Sequence, residues 1–267
     1  MPERSVYMDY SNIRDDDYMV QGYVKVDNIT IISAYKRNCK SRLYFYRNNK
    51  LDDVMILSSK AHVGGLSYDK ENNLLFVTNT NGRVDTFDYK TKKSIENDIT
   101  ISNYTDRNMA TITVYNGKLY ASTFGIRSYL YEIEYDYNKK FISMKNIKKL
   151  YNIGPAVQGI NFYNHNNHLY LVTSSSLGID SISKLNVYYV LSKPYHVNSI
   201  KIKHSGLEGI YTDEDGNISG IYEFGKQVSE DFGNIDDFIN MRSFTSNKSL
   251  LLYLGIMKWD YKRKRRR

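Results

Sequence analysis

The sequence predicts an all-β fold built from five similar units, and three observations carry that prediction. A short motif returns along the chain at a nearly constant step. After each return come short apolar runs that alternate with polar residues, the pattern of half-buried strands. Between the runs lie clusters of Asn, Asp and Gly that suit hairpin turns, whereas only 3 of the 267 residues are proline.

The recurring motif reads Val20-Gln21-Gly22-Tyr23, Val63-Gly64-Gly65-Leu66, Ala110-Thr111-Ile112-Thr113, Val157-Gln158-Gly159-Ile160 and Leu207-Glu208-Gly209-Ile210. Its second residue falls at 21, 64, 111, 158 and 208, and four of the five copies have Gly in third place. Gly there fits strands whose backbones come close together. A turn and a second apolar run follow in each unit: Asn28 then residues 29–35, Asn72-Asn73 then 74–78, Asn116-Gly117 then 119–123, Asn166-Asn167 then 169–173, and Asp215-Gly216-Asn217 then 218–224. A third run follows in four units, opened by Ser41, Gly82, Ser128 and Ser183.

Three or four strands per unit of this length match the blade of a β-propeller. One blade cannot bury both of its faces, whereas a ring of blades buries each against the next. The expected architecture is a single five-bladed β-propeller over residues 1–257, with blades starting near 20, 63, 110, 157 and 207, followed by a basic tail over 258–267. Residues 6–10 are expected to close the ring by joining the last blade. The alternative is a six-bladed ring, which needs a further blade within 234–259.

Composition narrows the function classes. Tyrosine, with 26 residues, suits pleated surfaces that pack the ring and wet the hydroxyl. Cys39 stands alone, so no internal disulfide can form. No apolar stretch approaches the roughly 20 residues of a membrane-spanning helix. The first 17 residues are polar and acidic, unlike a signal peptide. A cytoplasmic, monomeric protein is expected, with a mature secreted protein as the alternative. The net charge of +8 is concentrated in the last ten residues, which hold seven Lys or Arg and one Asp. Such a cluster offers association with nucleic acid or an anionic membrane.

In a propeller the innermost strands line a central channel. Alternation then brings the second motif residues toward one ring, and His62, two residues before Gly64, is expected to fill the gap that this glycine leaves. The expected ligand-binding set is Gln21, His62, Thr111, Gln158 and Glu208, with Glu208 and His62 as the candidates for any catalysis. Two amides, an imidazole, a hydroxyl and a carboxylate converging in a concave site suit a small polar ligand or a peptide. A second layer is expected where the second strands end, at Tyr35, Asn79, Phe124, Ser174 and Glu223, with Lys36, Arg37 and Arg127 nearby. No metal site is expected. Residues 213–217 lack the bidentate Glu of an EF-hand and read as a hairpin turn, and His165 and His168 have no partners that complete a zinc site. No phosphate-binding or nucleophile-elbow motif occurs, so no cofactor is expected.

At Val20-Gln21-Gly22, Val157-Gln158-Gly159-Ile160 and Leu207-Glu208-Gly209-Ile210 the chain resembles bacterial five-bladed propellers, a broad group that includes the bacterial glutaminyl cyclases. The run His62-Val63-Gly64-Gly65 with Tyr68-Asp69 and Leu75-Phe76-Val77 looks like Firmicute propeller proteins. Cyclases of that group use channel tryptophans, and the one Trp here is Trp259, in the tail. The expectation is therefore a non-enzymatic binding module holding a small polar ligand or peptide at the channel, with a glutaminyl-cyclase-like or hydrolase enzyme using Glu208 as the alternative.

Overall fold

The computed structural model describes residues 10, 12–13, 16–105, 108–177, 182–190, 194–202, 204–223 and 229–239. The basic tail and most of residues 6–10 lie outside them, as does most of the segment 234–259 that a sixth blade would need. Among the described residues the regular secondary structure is almost all strand, and no helix there is long and apolar enough to cross a membrane.

The strands form five antiparallel meanders. The first runs β1 (Met19–Val26), β2 (Ile29–Tyr35), β3 (Arg42–Arg47) and β4 (Lys50–Ile56). The second runs β5 (Leu66–Asp69), β6 (Leu74–Thr78), β7 (Val84–Asp88) and β8 (Ser94–Asn97). The third runs β9 (Met109–Tyr115), β10 (Lys118–Thr123), β11 (Tyr129–Tyr137) and β12 (Phe141–Asn152). The fourth runs β13 (Val157–His165), β14 (His168–Ser175), β15 (Ser183–Val190) and β16 (Pro194–Ile202). The fifth has β17 (Leu207–Thr212), β18 (Asn217–Tyr222) and β19 (Ser229–Asn234). A short parallel pairing of β8 with β12 joins the second and third meanders edge to edge into one eight-stranded sheet.

The first strands of the meanders lie side by side in the order β1, β5, β9, β13, β17, and β17 lies against β1 again. The apolar faces are buried between neighbours. Val24, Ile31, Leu66 and Val77 fill the first junction, and Leu74, Phe76, Ile112 and Ile133 the second. Leu130, Val157, Ile160 and Leu171 fill the third, and Val172, Leu185, Leu207 and Ile218 the fourth. A fifth cluster joins Ile221 of the last meander to Tyr23, Ile32 and Tyr44 of the first, with Tyr10 and Ile13 packed into it. Tyr10 thus contributes to the junction where the N-terminal segment was expected to close the ring, its ring edge-on to Tyr46 at 4.9 Å.

Two repeated sequence features acquire physical roles. The third-place glycines sit where neighbouring inner strands nearly touch. A Cβ on Gly159 would stand 2.8 Å from the carbonyl oxygen of Glu208, and one on Gly209 would stand 2.8 Å from the Tyr23 nitrogen. The serines that open third runs are fully buried and bind the next meander's backbone. Ser41 Oγ donates to the Ala61 carbonyl, Ser128 Oγ accepts from Val157 N–H at 3.2 Å, and Ser183 Oγ accepts from Leu207 N–H at 3.1 Å.

Candidate functional site: paired glutamines and glutamates

The inner strands do not start as regular strands. In β1 the pairing to β2 passes from Val20↔Ala34 to Gly22↔Ser33, so Gln21 is an extra residue in a β-bulge. In β13 it passes from Val157↔Ser175 to Gly159↔Ser174, leaving Gln158 extra. In β17 Leu207↔Tyr222 is followed by Ile210↔Gly220, so the extra residue falls at Glu208-Gly209. A bulge re-aims a side chain that regular alternation would send elsewhere.

These bulges lie at the end of the sheets where the second strands finish, and hydrogen bonds join the side chains across meanders. Gln21 Nε2 donates to Glu223 Oε1 at 3.1 Å, linking the first meander to the last. Gln158 Nε2 donates to Glu208 Oε1 at 3.1 Å, linking the fourth to the last. Ser174 Oγ donates to the Glu208 carbonyl at 2.5 Å and fixes the bulge from behind. Gln21 and Glu208 are 0% and 2% exposed. Gln21 Oε1 is buried with no hydrogen-bond partner.

Burial holds the Glu208 carboxyl well above the usual carboxylate range. The nearby Glu223 pushes it further up, and the Gln158 hydrogen bond pulls it back in part. Burial also raises Glu223, opposed by its hydrogen bond from Gln21. Tyr35 joins the group: burial raises its hydroxyl, and both Glu223 and Glu208 add to the rise. Its ring lies 4.0 Å from the His62 ring, centre to centre, at 38°. His62 is open to water, yet the surrounding protein desolvates it enough to lower its pKa.

Gln21, Gln158 and Glu208 are therefore brought together. His62 reaches the group through Tyr35, though not by the expected route: residues 61–65 are not strand, and Val63 has φ = 50°, so alternation from Gly64 does not apply. Thr111 is a correction. Met109↔Thr123 and Thr111↔Ser122 make Ala110 the extra residue of the third meander. Ala110 thus holds the place of Gln21, and Thr111 that of Gly22. In the second layer Tyr35 and Glu223 join the site, and Ser174 supports it. Asn79 instead caps a turn, accepting from Thr80 N–H and donating to Asp85 at 2.7 Å, and Phe124 is exposed. Lys36 pairs with Asp17 at 3.3 Å, while Arg37 and Arg127 are exposed. Gln21 was expected in the ligand set and Glu223 in the second layer, but not their hydrogen bond, because the two are 202 residues apart and only the meeting of the last meander with the first joins them.

Each glutamine gives one of its two amide N–H donors to a glutamate, so acceptors outnumber the donors left over: carboxylate oxygens and the glutamine carbonyls, against one N–H of each amide. No group of His, Cys, Asp and Glu suited to a metal ion occurs among the described residues. Residues 213–217 form the expected hairpin turn, with Asp213 accepting from Asn217 N–H at 2.8 Å and from its amide at 3.0 Å.

No family model and no curated protein matches the chain. Among solved structures it is similar to the β-propeller domain of Cps50 (Swd1) from Myceliophteria thermophila, at 11% identity and TM-score 0.44 over 76% of this chain; it spans 62% of that chain's length. It is also similar to glutaminyl cyclase from Myxococcus xanthus, at 14% identity and TM-score 0.52, over 80% of this chain and 90% of that one. At such identity the likeness is one of fold alone: the chain is all-β and propeller-like.

Proposed function

We propose that the chain is a five-bladed β-propeller serving as a binding module, which holds the amino group of a small polar ligand or peptide at one end of its axis. Five meanders, with five apolar junctions that include one between the last and the first, support the blade count. The observation that carries the ligand class is the pair of Gln→Glu hydrogen bonds with the unpartnered Gln21 carbonyl, which engage one donor of each amide and leave acceptors in the majority around Glu208 and Glu223. A protonated amine supplies donors and the opposite charge, and so offsets the burial of those carboxylates. Tyr35 and His62 form an aromatic wall for the ligand's body.

Calorimetry with short peptides tests this reading. Peptides with a free α-amino group bind, N-acetylated ones do not, and Glu208→Gln or Glu223→Gln weakens binding by about tenfold, the worth of one charge-assisted hydrogen bond. Equal affinity for acetylated and free peptides would remove the proposal.

The raised pKa of Glu208 favours a second reading, an enzyme of the cyclase or hydrolase kind. A carboxyl kept protonated by burial can pass its proton to a leaving amine. Mass spectrometry of a glutamine-initiated peptide decides it: loss of ammonia that Glu208→Gln abolishes supports the enzyme, and an unchanged peptide leaves the binding module.

A further inference from the structure

The opposite end of the axis holds a cavity of about 430 Å³. It opens among the β1–β2, β5–β6 and β17–β18 turns and reaches inward to Gly64 and Thr111. Its walls carry the rings of Tyr23, Tyr68 and Tyr211. Its charged groups are Lys25 and Lys70 against Asp27, Asp213, Glu214 and Asp215, an excess of two negative charges.

Those charges are not all equally engaged. Lys70 pairs with Glu214 at 3.6 Å, and Asp213 is occupied by its turn. The carboxylates of Asp27 and Asp215 have no hydrogen-bond or ion-pair partner among the described residues. Lys25 has no carboxylate partner there either. Its ammonium rests instead against two tyrosine rings, 5.9 Å from the centre of Tyr23 and 5.8 Å from that of Tyr211. The two rings meet edge to face at 6.3 Å and 85°. The protein thus shows a cation on this aromatic pair, supplied by its own chain. Burial raises the Tyr211 hydroxyl's pKa, and Asp213, Tyr23, Glu214 and Asp27 add to the rise, as a negative potential requires.

We propose that this cavity is a second binding site, independent of the glutamate pairs, that takes a small organic cation: a protonated amine or a quaternary ammonium. The ligand's charge lies on the faces of Tyr23 and Tyr211 in place of the Lys25 ammonium, with Asp27 and Asp215 beside it. Lys25 is a tethered competitor, so its removal strengthens binding. An anion site would behave in the opposite way, because Lys25 would then be its hook.

Calorimetry on the full chain, with putrescine and choline as cationic probes and citrate as the anionic control, tests the proposal. Lys25→Met tightens the cations roughly two- to fivefold, and Asp27→Asn and Asp215→Asn each loosen them by a similar factor, the worth of one solvent-exposed charge. Asn at 27 suits the left-handed backbone there, where φ is 52°, so the variant keeps its turn. Glu208→Gln leaves the choline affinity unchanged, because a quaternary ammonium has no N–H for the acceptors of the first site, and this separates the two sites; putrescine, a protonated amine, suits both. No binding of either cation by the native protein and Lys25→Met overturns the proposal. So does citrate binding that Lys25→Met abolishes, or choline binding lost with Glu208→Gln but indifferent to Asp27 and Asp215.

Discussion

Gly209→Ala tests the contact on which the site depends. The new methyl carbon would lie 2.8 Å from both Cβ and N of Tyr23 and 3.2 Å from the Gln21 carbonyl, whereas ordinary Cβ contacts begin near 3.4 Å. Two of those neighbours are backbone atoms of β1 and cannot swing aside, so β17 and β1 must part. Overpacking of this kind costs about 1–3 kcal/mol. With an unfolding entropy of about 2.1 cal/mol/K per residue, a chain of this length loses roughly 2–5 °C in its melting midpoint. Thermal unfolding followed by circular dichroism measures the drop. Because Gly209 adjoins Glu208, peptide affinity falls in the same variant. Gly159→Ala repeats the test at the neighbouring junction, where the obstacle is the Glu208 carbonyl at 2.8 Å. Midpoints indistinguishable from that of the unaltered protein in both variants would refute the close approach, and with it the closed ring.

Other consequences follow from the same structure. Carboxyls that burial keeps protonated bind more protons folded than unfolded, so stability is full below the ordinary glutamate value of 4.5 and declines as pH rises toward the folded values. Denaturant titrations across that range show the slope, and Glu208→Gln flattens it. Ser183→Ala leaves the buried Leu207 N–H without its acceptor and costs about 1–3 kcal/mol, read from urea midpoints. Tyr10→Ala removes a ring that is 1% exposed from the junction of the last and first meanders and costs about 3–5 kcal/mol by the same assay.

The meanders were legible because strand alternation, turn residues and apolar faces all repeat with the unit. The glycines and serines were legible too, although their roles needed neighbours: Ser183 is an unremarkable polar residue until Leu207 N–H lies beside it. The site was legible only in part. Period-two reasoning assumes a regular strand, and a bulge adds one residue and reverses the parity beyond it. The third unit lacks the third-place glycine that anchors the motif, so its alignment fell one residue late and put Thr111 where the structure has Ala110. The positive φ of Val63 defeated period-two reasoning at His62. Glu223 stood in the sequence as the end of a second run, and its bond to Gln21 exists only once the last meander lies against the first.

The bulge position itself separates scaffold from function. The same place in the ring is filled by Gln21, Gly64, Ala110, Gln158 and Glu208, and the second and third meanders form their junctions with no polar side chain there. A polar residue is therefore no requirement of the fold at this place. Burying a carboxyl that is 2% exposed, near a second one, opposes folding unless it is neutralised or paired. Glu208→Ala puts into the fifth meander what the third already has. If the glutamate serves a ligand, the variant folds with a midpoint at or above that of the native protein at pH 8, where the native carboxyl is most penalised, and it loses the free-amino peptide. If the glutamate serves the scaffold, the variant melts lower at every pH. The direction of that shift decides whether the axial glutamine–glutamate pairs are architecture or recognition.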